Sequence, residues 1–134
     1  MKYYIDTCIW LNLMKREFKG KKLFWKYAKE FLEQHNGDMI IISPAVLKEL
    51  ILKLDDLEKI SKDYKVTFVD NTDEDYFFAR IIESTSSYRI SFLDCVHIAI
   101  CFRLNATLIT RDYLLIQEAK KYNVLAIEPE KLLY

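Results

Sequence analysis

Apolar residues along this chain fall into two kinds of run. Short, nearly unbroken blocks at residues 2–5, 39–42, 66–69, 107–109 and 124–127 are rich in Val, Ile, Leu and aromatic side chains. Blocks of that length with little polar alternation are strands buried on both faces, the pattern of a parallel sheet covered by helices. Between them lie longer stretches with helical spacing, which predict helices over 23–34, 44–54, 57–63, 73–84, 92–104 and 113–122. A short apolar stretch, 9–13, follows the first strand at once. Ser43 before Pro44 reads as an N-cap with proline at the first helical position, and Thr72 with Asp75 has the spacing of a capping box. The segments joining the strands are long enough for right-handed crossovers. The expected fold class is therefore α/β: three layers, α/β/α, around a central, mainly parallel twisted sheet of about five strands.

Composition narrows the picture. The 134 residues are 51% hydrophobic and 30% charged, which excludes disorder and predicts one domain over 1–134 with a core on both faces of the sheet. No apolar run is long enough to span a bilayer. The first strand begins at Lys2, leaving no room for a signal peptide, so a cytoplasmic location and no membrane partner are expected. Cys8, Cys95 and Cys101 form no CxxC pair and are expected to be buried small residues rather than a disulfide or zinc framework. Gly20 and Gly37 are the only glycines and neither sits in a phosphate-cradling loop, so nucleotide-binding motifs are absent. A receiver-type phosphotransfer site is also excluded, because Asp70 reads as a turn residue ahead of the Thr72 cap.

The 20 Lys and Arg residues balance the 20 Asp and Glu, yet the distribution is uneven. Lys15, Arg16, Lys19, Lys21, Lys22, Lys26 and Lys29 concentrate positive charge in one segment, together with Phe18, Phe24, Trp25 and Tyr27. Such a local field can steer a polyanion at zero net charge, and aromatic residues among lysines can stack on unpaired bases. A groove for a second copy or a protein partner, or simple packing for Phe24 and Tyr27, is the competing expectation.

Four carboxylates stand out by position. Asp6 follows the first strand directly, Glu49 lies on the second turn of the helix after the second strand, Asp94 opens the helix before the fourth strand, and Asp112 closes that strand. Each has an ordinary explanation: Asp6 and Asp112 as helix caps, Ser91 to Asp94 as a capping box, Glu49 as an exposed helical acid. Together they are less ordinary, since in a parallel sheet all four places share the carboxyl edge, where ligands of open α/β folds bind. Two carboxylates about 4 Å apart repel by roughly 4 kcal/mol at an effective dielectric of 20. Four in one pocket therefore call for a cation. Oxygen ligands select Mg²⁺ or Mn²⁺, which would polarise a phosphodiester oxygen and lower the pKa of a water. His97, one turn past Asp94 on an apolar helix, is expected to be a hydrogen-bonded core or supporting histidine rather than a ligand.

The segments carrying these acids resemble the four motifs of the PIN domain family, in order, and most closely its small VapC-like toxins. They are Tyr4-Ile5-Asp6-Thr7, Ile42-Ser43 through Glu49, Phe92-Leu93-Asp94 through His97-Ile98-Ala99, and Leu108-Ile109-Thr110-Arg111-Asp112. The resemblance implies metal-dependent cleavage of RNA, with Asp6, Glu49, Asp94 and Asp112 as the acidic, metal-holding site and Thr110 as a supporting hydroxyl. It also implies a homodimer, a cognate antitoxin and the role of toxin in a toxin–antitoxin pair. One departure stands out: Leu114 and Leu115 occupy positions where many relatives carry a further acid. That departure motivates the alternative of a non-catalytic RNA- or protein-binding module. A nuclease acting on DNA or on particular nucleic-acid structures through the same site is the other alternative.

Overall fold

The computed structural model describes residues 1–50 and 54–134. The chain runs β1 (Lys2–Ile5), α1 (Thr7–Met14), α2 (Phe24–Gln34), β2 (Met39–Ile42), α3 (Pro44–Leu50), α4 (Leu54–Asp63), β3 (Val66–Phe68), α5 (Asp73–Thr85), α6 (Phe92–Leu104), β4 (Thr107–Ile109), α7 (Tyr113–Lys120) and β5 (Ala126–Ile127), and ends on a 3-10 turn, Pro129–Leu132. Five strands pair in the order β3-β2-β1-β4-β5, every neighbouring pair parallel. Helices cover both faces, as the unbroken apolar strands require. Tyr3 packs edge-on against Phe31 of α2, with ring centroids 5.1 Å apart, while the next residue, Tyr4, faces His97 of α6 at 5.3 Å. Successive strand residues point to opposite faces, so α2 and α6 lie on opposite sides of β1.

Ile5, Ile41, Ile42, Leu108 and Ile109 are fully buried, along with Trp10, Phe31, Ile98 and Ile100 from the helices. Burying each such side chain contributes ~1.5–3 kcal/mol, so the sheet centre is the main source of stability. The edge strands are weaker. Phe68 and Leu125 are exposed, and β5 is only Ala126 and Ile127, with the Leu125 carbonyl just before it accepting the Leu108 N–H at 2.9 Å.

Several expected boundaries shift, two of them for one local reason. The last strand, expected over 124–127, is only two residues long because the Val124 N–H is spent on the Ala119 carbonyl as α7 closes, with Asn123 in the left-handed region at φ 59°. That same closure ends α7 at Lys120 rather than Tyr122. Leu54, expected to end one helix, opens the next, and the expected helical stretch over 51–53 lies outside the described residues. Among the described residues no helix is long and apolar enough to cross a membrane.

The topology fixes where a site can form. All strands point the same way, and strand order reverses at β1, with β2 and β3 on one side and β4 and β5 on the other. The loops leaving β1, β2 and β4 diverge there and open a crevice at the carboxyl edge.

Candidate metal centre

Asp6 occupies the residue after β1, at that reversal point, and is only 5% exposed. It caps α1: with extended backbone at φ −67° and ψ 155°, its Oδ1 accepts the Thr7 N–H at 2.7 Å. Its Oδ2 accepts the Thr110 hydroxyl at 2.7 Å. Thr110 follows β4, is fully buried, and its Oγ1 in turn accepts the Asp112 N–H at 3.1 Å. A single threonine thus ties the end of β1 to the end of β4, on top of the 2.9 Å backbone bond from Asp6 N–H to the Ile109 carbonyl.

Glu49 projects from the second turn of α3. Its Oε1 accepts His97 Nε2 at 2.6 Å and the Thr7 hydroxyl at 3.0 Å. Burial pushes the Glu49 carboxyl up, but the hydrogen bond and charge of His97 outweigh it and hold the group below the usual carboxylate range. His97 is fully buried on α6. Its Nδ1 meets the Tyr4 hydroxyl at 2.6 Å, which in turn meets Ser43 Oγ at 2.5 Å. Burial opposes the imidazolium, yet the Glu49 bond and the charges of Asp6, Glu49 and Asp94 raise the His97 pKa above its ordinary value. The expected hydrogen-bonded histidine is therefore here, but closer to the acids than its sequence position implied. Its Nε2 lies 3.6 Å from Asp6 Oδ1, and Asp6, Glu49 and His97 each offer an atom within 4.8 Å of the others.

Asp94 sits in the first turn of α6. The anticipated capping box forms only in half: Ser91 Oγ accepts the Asp94 N–H at 3.1 Å, while the Asp94 carboxyl does not return the bond to the Ser91 backbone. The carboxyl is pushed up to about 6, chiefly by burial; the charge of His97 is the next strongest influence and pulls it down, while the charges of Asp6 and Asp112 push it up and Ser91 lowers it slightly. Asp112 caps α7, its Oδ1 accepting from Leu114 N at 3.0 Å and Leu115 N at 3.2 Å. All four acids line one open pocket of about 470 Å³ with Thr7, Cys8, Leu11, Ser91 and Arg111. Capping and lining the pocket are thus compatible: one oxygen of Asp112 serves the helix and the other takes no hydrogen bond among the described residues, and Glu49 Oε2 is equally free. Asp94 and Asp112 line the pocket but stand outside the tight group of Asp6, Glu49 and His97.

These oxygens fit a hard divalent cation. Carboxylates outnumber other donors, and the one nearby nitrogen is committed to Glu49.

Thr7, Cys8, Leu11, Ser91 and Arg111 also line the pocket and were not singled out as site residues from the sequence. Cys8 is half-buried rather than buried, with its Sγ 3.5 Å from Asp6 Oδ2 and 3.6 Å from Thr110 Oγ1. Burial and the Asp6 charge push its thiol up to about 12, so it stays protonated. Arg111 turns its guanidinium away from the acids, with Nη1 on Glu130 at 2.7 and 2.8 Å, Nε on Asn12 at 2.9 Å, and its plane over Phe24 at 4.0 Å. Its Nη2 is buried without a partner among the described residues. Arg111 sits between Thr110 and Asp112 in the fourth motif, and that adjacency was the only sequence signal for it.

The family model of the PIN domain matches residues 3–121. The chain belongs to the PIN domain family. Solved structures similar to this PIN domain include VapBC2 from Rickettsia felis bound to a DNA fragment from its promoter, at 19% identity and TM-score 0.67, covering 94% of this chain and 97% of that one. FitAcB from Neisseria gonorrhoeae is 14% identical with TM-score 0.64, covering 97% and 99% of the two chains. FitAB bound to the IR36 DNA fragment is also 14% identical, with TM-score 0.63 and 98% of each chain covered. At these identities the likeness is one of fold. No curated protein is significantly similar to this PIN domain in sequence.

Proposed function

We propose that this PIN domain is a metal-dependent endoribonuclease that cleaves RNA phosphodiester bonds, acting in the cytoplasm as the toxin of a toxin–antitoxin pair. The observation that carries the reading is the pocket itself: Asp6, Glu49, Asp94 and Asp112, from four separate segments, line one opening where strand order reverses. In this reading the four carboxylates hold Mg²⁺ or Mn²⁺. Thr110 fixes the rotamer of Asp6, and His97, backed by Tyr4 and Ser43, holds Glu49 toward the pocket. The bound ion supplies Lewis-acid stabilisation of negative charge on the phosphate. The resemblance to VapBC2 and FitAB supports an antitoxin partner, and a homodimer is part of the same reading.

The test is RNA cleavage by purified protein. Activity should vanish with chelator and return with Mn²⁺, and Asp6→Asn and Asp94→Asn should each abolish it. Full cleavage by either variant would refute the assignment. The absence of a further acid at Leu114 and Leu115 favours, as a second reading, a binding module without turnover. In that case RNA or protein binding would survive chelation and no divalent ion would elicit cleavage. Parallel substrates of single-stranded RNA and DNA separate a ribonuclease from a DNA-acting enzyme, since discrimination rests on contacts to the 2′-hydroxyl.

A further inference from the structure

The connection between α1 and α2 is an ordered, exposed hairpin. Lys19 and Lys22 exchange backbone hydrogen bonds of 2.9 and 3.0 Å around a two-residue turn, with Gly20 at φ 61°, a conformation that favours glycine. This hairpin, residues 15–22, carries Lys15, Arg16, Lys19, Lys21 and Lys22, all exposed. Among the described residues none of these five cations lies within ion-pair distance of a carboxylate. On the very next helix, Lys26 and Lys29 pair with Glu30 and Glu33 four residues on. Among the described residues, then, these lysines of α2 have acidic neighbours while those of the hairpin have none, and no side-chain hydrogen bond or ion pair of the hairpin lysines holds it together. Phe18 stands 66% exposed among them.

The hairpin is also footed on the rim of the acidic pocket. The Glu17 carbonyl accepts the Trp25 N–H at 3.0 Å, and its side chain accepts Asn12 Nδ2 at 3.2 Å. Asn12 holds Arg111, which lines the pocket and lies over Phe24. The lysines thus stand on a stack continuous with the site.

An acidic pocket repels a polyanion, and the chain as a whole has no net charge to offset that. A substrate must then be held by positive charge beside the pocket rather than within it. We propose that the hairpin over residues 15–22 is a grip for single-stranded RNA, with Lys15, Lys19, Lys21 and Lys22 on phosphates flanking the cleaved bond and Phe18 stacked on an unpaired base. Arg16 contributes less, because its guanidinium is already placed over Trp25 at 5.6 Å. This rests on the reading of the acidic pocket as a phosphodiester site.

The experiment measures binding without cleavage: fluorescence anisotropy of a short fluorescein-labelled single-stranded RNA in EDTA, as a function of salt, for the full chain. Replacing Lys19, Lys21 and Lys22 together by Ala should weaken binding roughly 10- to 100-fold and reduce the slope of log K against log salt by about 2, near 0.7 per lost contact. Phe18→Ala should weaken binding about 5-fold or more while leaving that slope unchanged. Melting temperatures should stay close to the parent, since none of the altered side chains makes a hydrogen bond or ion pair among the described residues. If the parent binds and the triple variant binds as tightly with the same slope, the proposal is overturned and the hairpin is left to an acidic protein partner. Failure of the parent to bind overturns it as well. A parent that binds through the hairpin yet cleaves nothing with Mn²⁺ upholds the grip and removes the nuclease reading, so the two can fail separately.

Discussion

Replacing Asp94 by Asn should stabilise the metal-free protein while disabling it. In the folded chain the Asp94 carboxyl ionises at about 6 rather than 3.8, because burial and the negative charges of Asp6 and Asp112 oppose its anion. That displacement corresponds to ~3 kcal/mol of extra work to ionise the group. Asp94 is only partly buried, so solvent screens some of the repulsion, and ~1–2 kcal/mol is the expected effect at neutral pH. The sign follows from linkage. Between about pH 4 and 6 the folded state binds more protons at this site than the unfolded chain, so stability falls as pH rises through that window. Above about 6 the full cost is present, and below about 4 none of it is. Asn has no charge to bury and is immune to this loss.

Thermal melts in EDTA from pH 4 to 8 read the effect directly. For a domain of this size 1 kcal/mol moves the midpoint by roughly 3–5 °C. The variant should therefore melt about 3–10 °C above the parent at pH 7.5 and with little difference near pH 4. Adding Mn²⁺ should reverse the order, because the ion stabilises only the folded state that binds it and the parent binds it better. A variant that melts lower than the parent at pH 7.5 in EDTA, or a gap that does not change with pH, would refute the reasoning and make Asp94 a structural residue.

Other changes have simpler readouts. Tyr4→Phe removes a buried hydroxyl that bridges Ser43 and His97, and should cost ~1–2 kcal/mol by denaturant melts and lower cleavage through a looser Glu49. Arg111→Ala breaks a nearly buried pair with Glu130 and the bond to Asn12, and should cost ~2–3 kcal/mol; Arg111→Lys should recover little, since an ammonium cannot reproduce the fork over Phe24. Cys8 and Cys95 are held at about 12 and Cys101 is raised as well, so the native protein should resist iodoacetamide at pH 7.5, with three thiols reacting only in denaturant. Rapid alkylation of Cys8 in the native protein would contradict the protonated thiol placed beside Asp6.

The strands were legible because their apolar blocks have no competing interpretation at that length: Met39-Ile40-Ile41-Ile42 cannot be half of an amphipathic helix, and it forms β2 with the expected bounds. Caps were legible where side-chain chemistry is local, as with Thr72 and Asp75, which form both bonds of the box. Asp75 does a second thing that no local pattern reveals: buried at 2% exposure, it takes a bidentate bond from Arg103 of α6, 28 residues on. The last strand was overestimated because pairing, not propensity, sets its length. Val124 and Leu125 are as β-prone as their neighbours, but the Val124 N–H is tied to α7 and Leu125 meets β4 only through its carbonyl.

The site shows the same boundary between local and distant information. Asp94 and His97 are three apart on α6, so a helical reading already puts them on one face. It cannot say what that face meets. The register of the sheet supplies the answer: Tyr4 stands opposite Ile41 and Leu108, which places the ends of β1, β2 and β4 level with one another. Level ends bring Glu49 from the helix after β2 over His97 from the helix before β4, across 48 positions of sequence. Arg111 and Asp112 show the converse, since neighbours in sequence here face opposite ways. Asp112 turns to the acids, and Arg111 turns to Asn12, Glu130 and Phe24, with Asn12 in turn bonded to Glu17 of the basic hairpin. The fourth motif therefore does two jobs with adjacent residues. One gathers negative charge that a cation must balance, and the other anchors the positive charge that a polyanion would need to approach it.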